Sequence, residues 1–119
     1  MVNNAGILNK VGPTDWLTVD DYLRHCSVNL FGLIDVTTTF LPLVKKTQGR
    51  IVNVSSDFGL MANPAFAAYS VSKFGIEAFS DALRYDVLPQ CCRCECIVAF
   101  SKFQAGFWLI NGLYIICLV

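Results

Sequence analysis

Three features of this 119-residue chain predict an α/β fold built on a parallel sheet. The run Arg50-Ile51-Val52-Asn53-Val54-Ser55 is short and β-branched, as strands of parallel sheets are. Helical patterns flank it, one from Thr18 to about Lys46 and one from about Ala67 to Tyr85. Met1-Val2 and Arg93-Cys94-Glu95-Cys96-Ile97-Val98 supply two more strands, giving the order strand, helix, strand, helix, strand.

Each element has its own local cause. Met1-Val2 reads as the end of a buried strand that runs into the turn Asn3-Asn4-Ala5-Gly6, and Ile7 to Leu17 is a loop punctuated by Gly12-Pro13. Thr18-Val19-Asp20-Asp21 has the form of a capping box, with the shorter acid at the third helical position. The helix that follows carries Tyr22, Val28, Leu30, Phe31, Leu33, Ile34, Val36 and Leu41, too many for one stripe, so it is expected to be largely buried until Gly49 stops it. A loop from Ser56 to about Phe66 precedes the second helix, whose inner face holds Ile76, Phe79 and Leu83. Right-handed crossovers between strands added in one direction place both helices on one face of the sheet. A doubly wound domain needs helices on both faces, so the chain is expected to be one part of such a domain.

Composition excludes several classes. Nine basic and nine acidic residues balance to zero net charge, so no basic field points to nucleic acid. The chain is 55% hydrophobic and only 15% charged, and needs a partner, a membrane or further sequence over its apolar surface. Four of six cysteines crowd into Cys91-Cys92-Arg93-Cys94-Glu95-Cys96, without the spaced pairs of a tetrahedral zinc site. Side chains alternate across a strand, so these four do not converge on one ion, and His25 reads as a helix-surface residue. No metal is expected. Met1-Val2-Asn3-Asn4 lacks the basic and apolar regions of a secretory signal, which makes reduced thiols in an intracellular protein the expectation.

The chemistry lies in four residues. Tyr69 and Lys73 are one helical turn apart, so the ammonium shares a face with the phenol. A free phenol has a pKa near ~10 and is a poor proton acceptor at neutral pH, and a nearby cation favours its ionised form. Ser56 ends its strand, where open α/β sheets place their sites, and its hydroxyl is suited to polarising a substrate oxygen. Asn29 is an amide inside a helix, suited to holding a water that links Lys73 to solvent. An acid, a tuning charge, a carbonyl polariser and a water holder are what reversible hydride transfer between an alcohol and a nicotinamide asks of a protein.

Through Asn3-Asn4-Ala5-Gly6, Val28-Asn29-Leu30-Phe31-Gly32, Asn53-Val54-Ser55-Ser56 and Tyr69-Ser70-Val71-Ser72-Lys73, the chain resembles the short-chain dehydrogenase/reductase family over about residues 1 to 90. The resemblance implies a partial Rossmann-type doubly wound parallel sheet, with Asn29, Ser56, Tyr69 and Lys73 in the catalytic positions. It implies NAD or NADP as cofactor, with Asn4, Ala5 and Gly6 lining the adenosine side and Tyr69 and Lys73 at the nicotinamide ribose. Pro13-Thr14-Asp15-Trp16-Leu17-Thr18, Leu41-Pro42-Leu43-Val44-Lys45-Lys46 and Phe74-Gly75-Ile76-Glu77-Ala78-Phe79-Ser80-Asp81 look like retinol and hydroxysteroid dehydrogenases. Met61-Ala62-Asn63-Pro64-Ala65 is closer to hydroxybutyrate dehydrogenases. The expected partner is a small-molecule substrate, an apolar alcohol or ketone: Leu60, Met61 and Phe66, beside the expected pocket, suit a bulky apolar alcohol of retinoid or steroid type better than a small hydroxy acid. Endoplasmic-reticulum membrane association, a mitochondrial alternative, and a homodimer through the two long helices follow from the same resemblance.

The chain departs from the family pattern at both ends. The glycine-rich turn for the cofactor pyrophosphate and the residue that selects NAD or NADP are not in it, so it is expected to be inactive alone. The expected division is a partial dehydrogenase domain over 1–90 and a divergent cysteine-rich, apolar tail over 91–119, whose stretch from Phe103 to Val119 has no charge.

Overall fold

The structure, a computed structural model, describes residues 1–87 and 93–99. Three parallel strands stand in the order β1 (Val2–Asn3), β2 (Arg50–Ser56), β3 (Arg93–Ala99). The register pairs Asn3 with Asn53, Asn53 with Cys96, and Ser56 with Ala99. The helices are α1 (Val19–Cys26), α2 (Gly32–Lys46) and α3 (Ala67–Val87). Single 3-10 turns lie at Thr14–Trp16 and Asp57–Gly59. The expected α/β order and parallel sheet are therefore present.

Local chemistry explains the element ends. The Thr18 backbone N–H donates to Asp21 Oδ2 at 2.8 Å, and this bond holds the Asp21 carboxyl below its ordinary range. At the other end of the helical run, Gln48 rather than Gly49 takes the left-handed conformation, with φ of 49°. The N–H of Gly49 then bonds Val44 O at 2.9 Å and that of Gln48 bonds Lys45 O at 3.2 Å, which closes a Schellman motif. Between α1 and α2 the backbone widens into a π-helical turn, Ser27–Phe31, where the Gly32 N–H reaches back to Ser27 O.

Both helical layers pack on one sheet face. Ile51, Asn53 and Ser55 of β2 point to that face and are buried, as are Cys94, Cys96 and Val98 of β3. Asn3 donates to Thr37 of α2 and Asn53 to Ser80 of α3, which places both helices over the same side. One apolar cluster joins Ile51, Leu83, Val87 and Cys94; a second joins Leu33, Ile76 and Cys96; and Phe79 packs against both. Cys94 and Cys96 share this inner face, where burial pushes their thiols up to about 11 and about 12. No cluster able to hold a metal exists among the described residues. Cys91, Cys92 and the uncharged stretch from Phe103 to Val119 lie outside the described residues, as does most of the expected tail.

Two expectations are corrected here. The helical run from Val19 to Lys46 is not largely buried: Leu23, Val28, Phe31, Val36, Phe40 and Leu43 are exposed. It is long and apolar enough to cross a membrane, yet its inward stripe, His25, Asn29, Leu33 and Thr37, is mostly polar and bonded to the protein. The first strand is not buried either. Val2 is 67% exposed, because β1 edges the sheet formed by the described residues and Val2 points away from the helices. On that second face Val2 pairs with Val52 and Val54 with Ile97, a row of apolar side chains that no described helix covers.

Two predictions follow from this packing. In detergent-free buffer the 119-residue chain is expected to self-associate through the uncovered apolar row, as sedimentation velocity would show. A concentration-independent monomer would mean that residues outside the described set cover this face. Gly59 lies against α3, and a Cβ there would stand 2.6 Å from Ser55 Oγ and 3.0 Å from Lys73 O. Gly59→Ala is therefore expected to destabilise the fold by roughly 1–3 kcal/mol, read as a lower urea midpoint.

Candidate active site

The carboxyl ends of β1 and β2 meet the first turns of α3 and the π-helical turn. Ser56 is the last residue of β2 and is buried; its backbone is extended, and its hydroxyl accepts from Phe58 N at 3.3 Å as the cap of the 3-10 turn. The same hydroxyl donates to Asp57 Oδ1 at 2.8 Å. Its neighbour Ser55 faces the helices and donates to Lys73 O at 3.4 Å. The two serines thus separate as strand alternation requires.

Tyr69 and Lys73 lie in the first two turns of α3. Lys73 is 5% exposed, and its ammonium donates to Val54 O at 3.2 Å and lies 5.6 Å from the Tyr69 ring centroid. Burial pushes this ammonium below its ordinary value, while Cys96 and Glu77 oppose the fall. The Tyr69 ring packs edge-on against Phe58, at 5.6 Å between centroids, and Phe58 in turn packs on Phe66 at 4.8 Å. Burial pushes the Tyr69 phenol above its ordinary value; a hydrogen bond donated by Ser56 would work downward, and the Asp57 charge adds to the rise.

Asn29 lies in the π-helical turn and is fully buried. Its Oδ1 accepts from Ile7 N at 2.7 Å, and its Nδ2 donates to Ile7 O and to Ser72 Oγ, each at 3.0 Å. The amide therefore clamps the loop after β1 and spends both of its protons on protein, leaving one lone pair on Oδ1. Asn4, Ala5 and Gly6 lie exposed in that loop. A Cβ on Gly6 would stand 3.6 Å from Asn29 Oδ1 and 3.7 Å from Lys73 Nζ, so bare backbone passes over both groups. The second loop carries Leu60 and Met61, both exposed, and is tied to the first by Gly12 N to Ala65 O at 2.8 Å.

Three residues outside the four expected ones belong to this cluster. Ser72 links Asn29 to α3 and donates to Tyr69 O at 2.7 Å; its signal in the sequence is its i+3 position from Tyr69, on the inward side. His25 is not a surface residue. It is fully buried, its Nε2 accepts from Asn9 N at 3.0 Å, its Nδ1 faces Asp21 O at 2.8 Å, and its ring stands edge-on to Tyr69 at 6.3 Å. These partners assign it the neutral Nδ1–H tautomer. Four-residue spacing from Asn29 was the clue to its inward direction. Asp57, the third, is adjacent to Ser56 and gave no signal beyond that adjacency.

The family model described as short chain dehydrogenase matches residues 1–99. The chain is 55% identical over 87 residues to dehydrogenase/reductase SDR family member 9 of Bos taurus, covering 73% of this chain and 27% of that one. It is 52% identical over 89 residues to retinol dehydrogenase 5 of Mus musculus, and 48% to mitochondrial D-beta-hydroxybutyrate dehydrogenase of the same species, covering 75% of this chain and 28% and 26% of theirs. It thus spans about a quarter of the length of these relatives. An NAD+-bound xylitol dehydrogenase superposes with a TM-score of 0.80 at 30% identity, over 83% of this chain and 38% of that one. On the match across the sheet and both helical layers, this chain belongs to the short-chain dehydrogenase family.

Proposed function

We propose that the chain carries the proton-transfer part of an NAD- or NADP-dependent oxidoreductase that interconverts an alcohol and a carbonyl on an apolar, retinoid- or steroid-like substrate. The observation that supports this best is the convergence of Ser56, Tyr69, Lys73 and Asn29 at the carboxyl end of one parallel sheet, beneath an exposed glycine loop. The bare backbone at Gly6, over Lys73 and Asn29, fits a nucleotide, with Asn4, Ala5 and Gly6 toward its adenosine side and Tyr69 and Lys73 toward the nicotinamide ribose. When bound, that nucleotide supplies the hydride acceptor or donor. The structures of an NAD+-bound xylitol dehydrogenase and of a 4-hydroxyisoleucine dehydrogenase complexed with NADH support the choice of cofactor class.

The chain's own residues then divide the remaining work. Tyr69 exchanges a proton with the substrate oxygen. Ser56 orients that oxygen. Lys73 holds positive charge beside the phenol, and the free lone pair of Asn29 Oδ1 is available to a water on the route to solvent. Exposed Leu60 and Met61 supply apolar contact for the substrate. The retinol dehydrogenase relative favours a retinoid-like alcohol, and the hydroxybutyrate dehydrogenase relative supplies the alternative substrate class. A non-catalytic chain that pairs with a full-length relative is the second reading, and the exposed apolar side chains of the helices offer it a surface.

Pairing has a surface available. Gly75 of α3 approaches Leu30 closely, and the flanking Phe31 and Phe74 are exposed, with Val28 and Val71 beside them. We assign to this face a homodimer contact through the two helical layers. The exposed apolar side chains also suit association with a membrane, of the endoplasmic reticulum or, on the hydroxybutyrate alternative, in the mitochondrion.

The decisive experiment joins this chain to the N-terminal, glycine-rich half of a family member. Tyr69→Phe is expected to lower kcat by about 10²–10⁴-fold, and Ser56→Ala by a similar factor. Activity of the Tyr69→Phe protein near that of its parent would sink the assignment. Retinol and 3-hydroxybutyrate, assayed side by side in the same protein, separate the substrate classes; turnover of hydroxybutyrate alone would reject the retinoid reading. Absence of nicotinamide fluorescence enhancement at micromolar protein would favour the non-catalytic one.

A further inference from the structure

Three backbone N–H groups tie down the loop after β1. That of Ile7 goes to Asn29 Oδ1 at 2.7 Å, that of Asn9 to His25 Nε2 at 3.0 Å, and that of Gly12 to Ala65 O at 2.8 Å. An amide oxygen and a backbone carbonyl accept at any moderate pH, whereas an imidazole nitrogen accepts only while it carries no proton. Leu8 and Asn9 are themselves exposed, so burial does little to hold this stretch between its ties.

His25 cannot take a second proton and keep its bonds. The ring is fully buried, and its Nδ1–H goes to Asp21 O at 2.8 Å. A proton on Nε2 would point at the Asn9 N–H, donor against donor, and would place a charge in the interior. We propose that His25 is a positioning residue whose neutral ring seats the loop carrying Asn4, Ala5 and Gly6, and whose protonation releases that loop at Asn9. The inference rests on the reading of this loop as the nucleotide's seat and adds a proton-dependent control of it. Opening exposes the ring to water and lets it charge, so the open loop binds one more proton than the closed one, and acid favours opening.

Titratable groups around the ring leave this sign unchanged. On α1, the Asp21 carboxylate is turned to Thr18 and Lys10, and burial pushes the Cys26 thiol up. From α3, Tyr69 stands 6.3 Å away between ring centroids with 74° between the planes, and burial favours its neutral phenol. Lys73, one turn on, donates to Val54 O, and Asp57 after β2 accepts from Ser56 and Phe58. The π-helical turn Ser27–Phe31 carries no ionisable side chain, and the loop itself brings Lys10, whose ammonium donates to Trp16 O.

His25 is the chain's single histidine, so its ring nitrogens are identified without assignment. The test uses the 119-residue chain, labelled with nitrogen-15 and kept dispersed in non-ionic detergent. Ring nitrogens and amide exchange are followed by NMR as the pH is lowered across the histidine range, from about 8 to about 5. At the upper end Nε2 is expected to resonate as a bare nitrogen and Nδ1 as a protonated one. As the second proton arrives, the Asn9 amide is expected to lose protection by about tenfold per unit of pH, the slope for one proton taken up, while Ile7 and Gly12 keep theirs. His25→Gln supplies an oxygen acceptor that does not titrate and is expected to keep Asn9 protected throughout. His25→Leu supplies none and is expected to leave Asn9 unprotected throughout. The wild-type ring and amide signals decide the matter even if neither variant folds. A ring that stays neutral until the whole chain unfolds, loss of protection at all three amides together, or an Asn9 amide indifferent to the ring's proton overturns the proposal. NADH at millimolar concentration reads the seat separately. If it moves the Gly6 amide at no pH, the nucleotide reading fails and the proposal with it; if it moves Gly6 and Asn9 does not follow the ring, only the role of His25 falls.

Discussion

Two asparagines, the half-buried Asn3 and the fully buried Asn53, paired across the sheet, set the arrangement on which everything else depends. Asn3 donates to Asn53 Oδ1 at 2.8 Å and to Thr37 Oγ1 at 2.9 Å, and Asn53 donates to Ser80 Oγ at 2.8 Å. One polar ladder thus fastens α2, β1, β2 and α3 together. Leaving any of these groups unpaired in the interior would cost about 1–3 kcal/mol, so alternatives to this register are penalised. A one-residue slip of β2 would turn Asn53 to the uncovered face and Val52 inward. It would also exchange the directions of Ser55 and Ser56 at the sheet end. The ladder therefore does for register what an apolar core alone does loosely.

A second polar clamp converts that register into a site. The π-helical turn rotates Asn29 inward, where its amide closes on both backbone groups of Ile7 and on Ser72. Ser72 passes the constraint to the Tyr69 carbonyl, and His25 holds the same loop through Asn9. The candidate site side chains thus sit on a strand end and helix turns, and the exposed Leu60 and Met61 sit on a loop. Electrostatics within this frame are balanced against ionisation of either partner. Burial disfavours both the Tyr69 phenolate and the Lys73 ammonium, so a charge brought by a ligand has a large effect on the pair.

The sheet is asymmetric in the same sense. Its helix-covered face is rich in bonded polar groups, and its second face carries Val2, Val52, Val54 and Ile97 in paired rows. An Arg50–Glu95 ion pair at 3.7 Å lies on that side, and it is solvent-exposed enough to add little. High apolar content thus resides partly at the surface, which accounts for a chain with 15% charged residues whose described interior is so polar.

Much of this was written in the sequence. Strand order, helix limits and the end position of Ser56 follow from β-branched runs, caps and periodicity, which are local properties. The Tyr69–Lys73 spacing puts both on one helix face because 3.6 residues make a turn. The direction of the first helix did not follow. Its outward residues include Phe31, Phe40 and Leu43 and its inward ones His25, Asn29 and Thr37, so hydrophobicity pointed the wrong way. Polar groups can be inside only when partners distant in sequence meet them, and those partners, Ile7, Asn9, Asn3 and Ser72, are set by tertiary packing. The left-handed Gln48 and the Ser56–Asp57 bond belong to the same class. Residue type and spacing determined which groups this chain offers for proton chemistry; only the folded structure decided which way each hydrogen bond points, because a donor's direction depends on acceptors that no local pattern specifies.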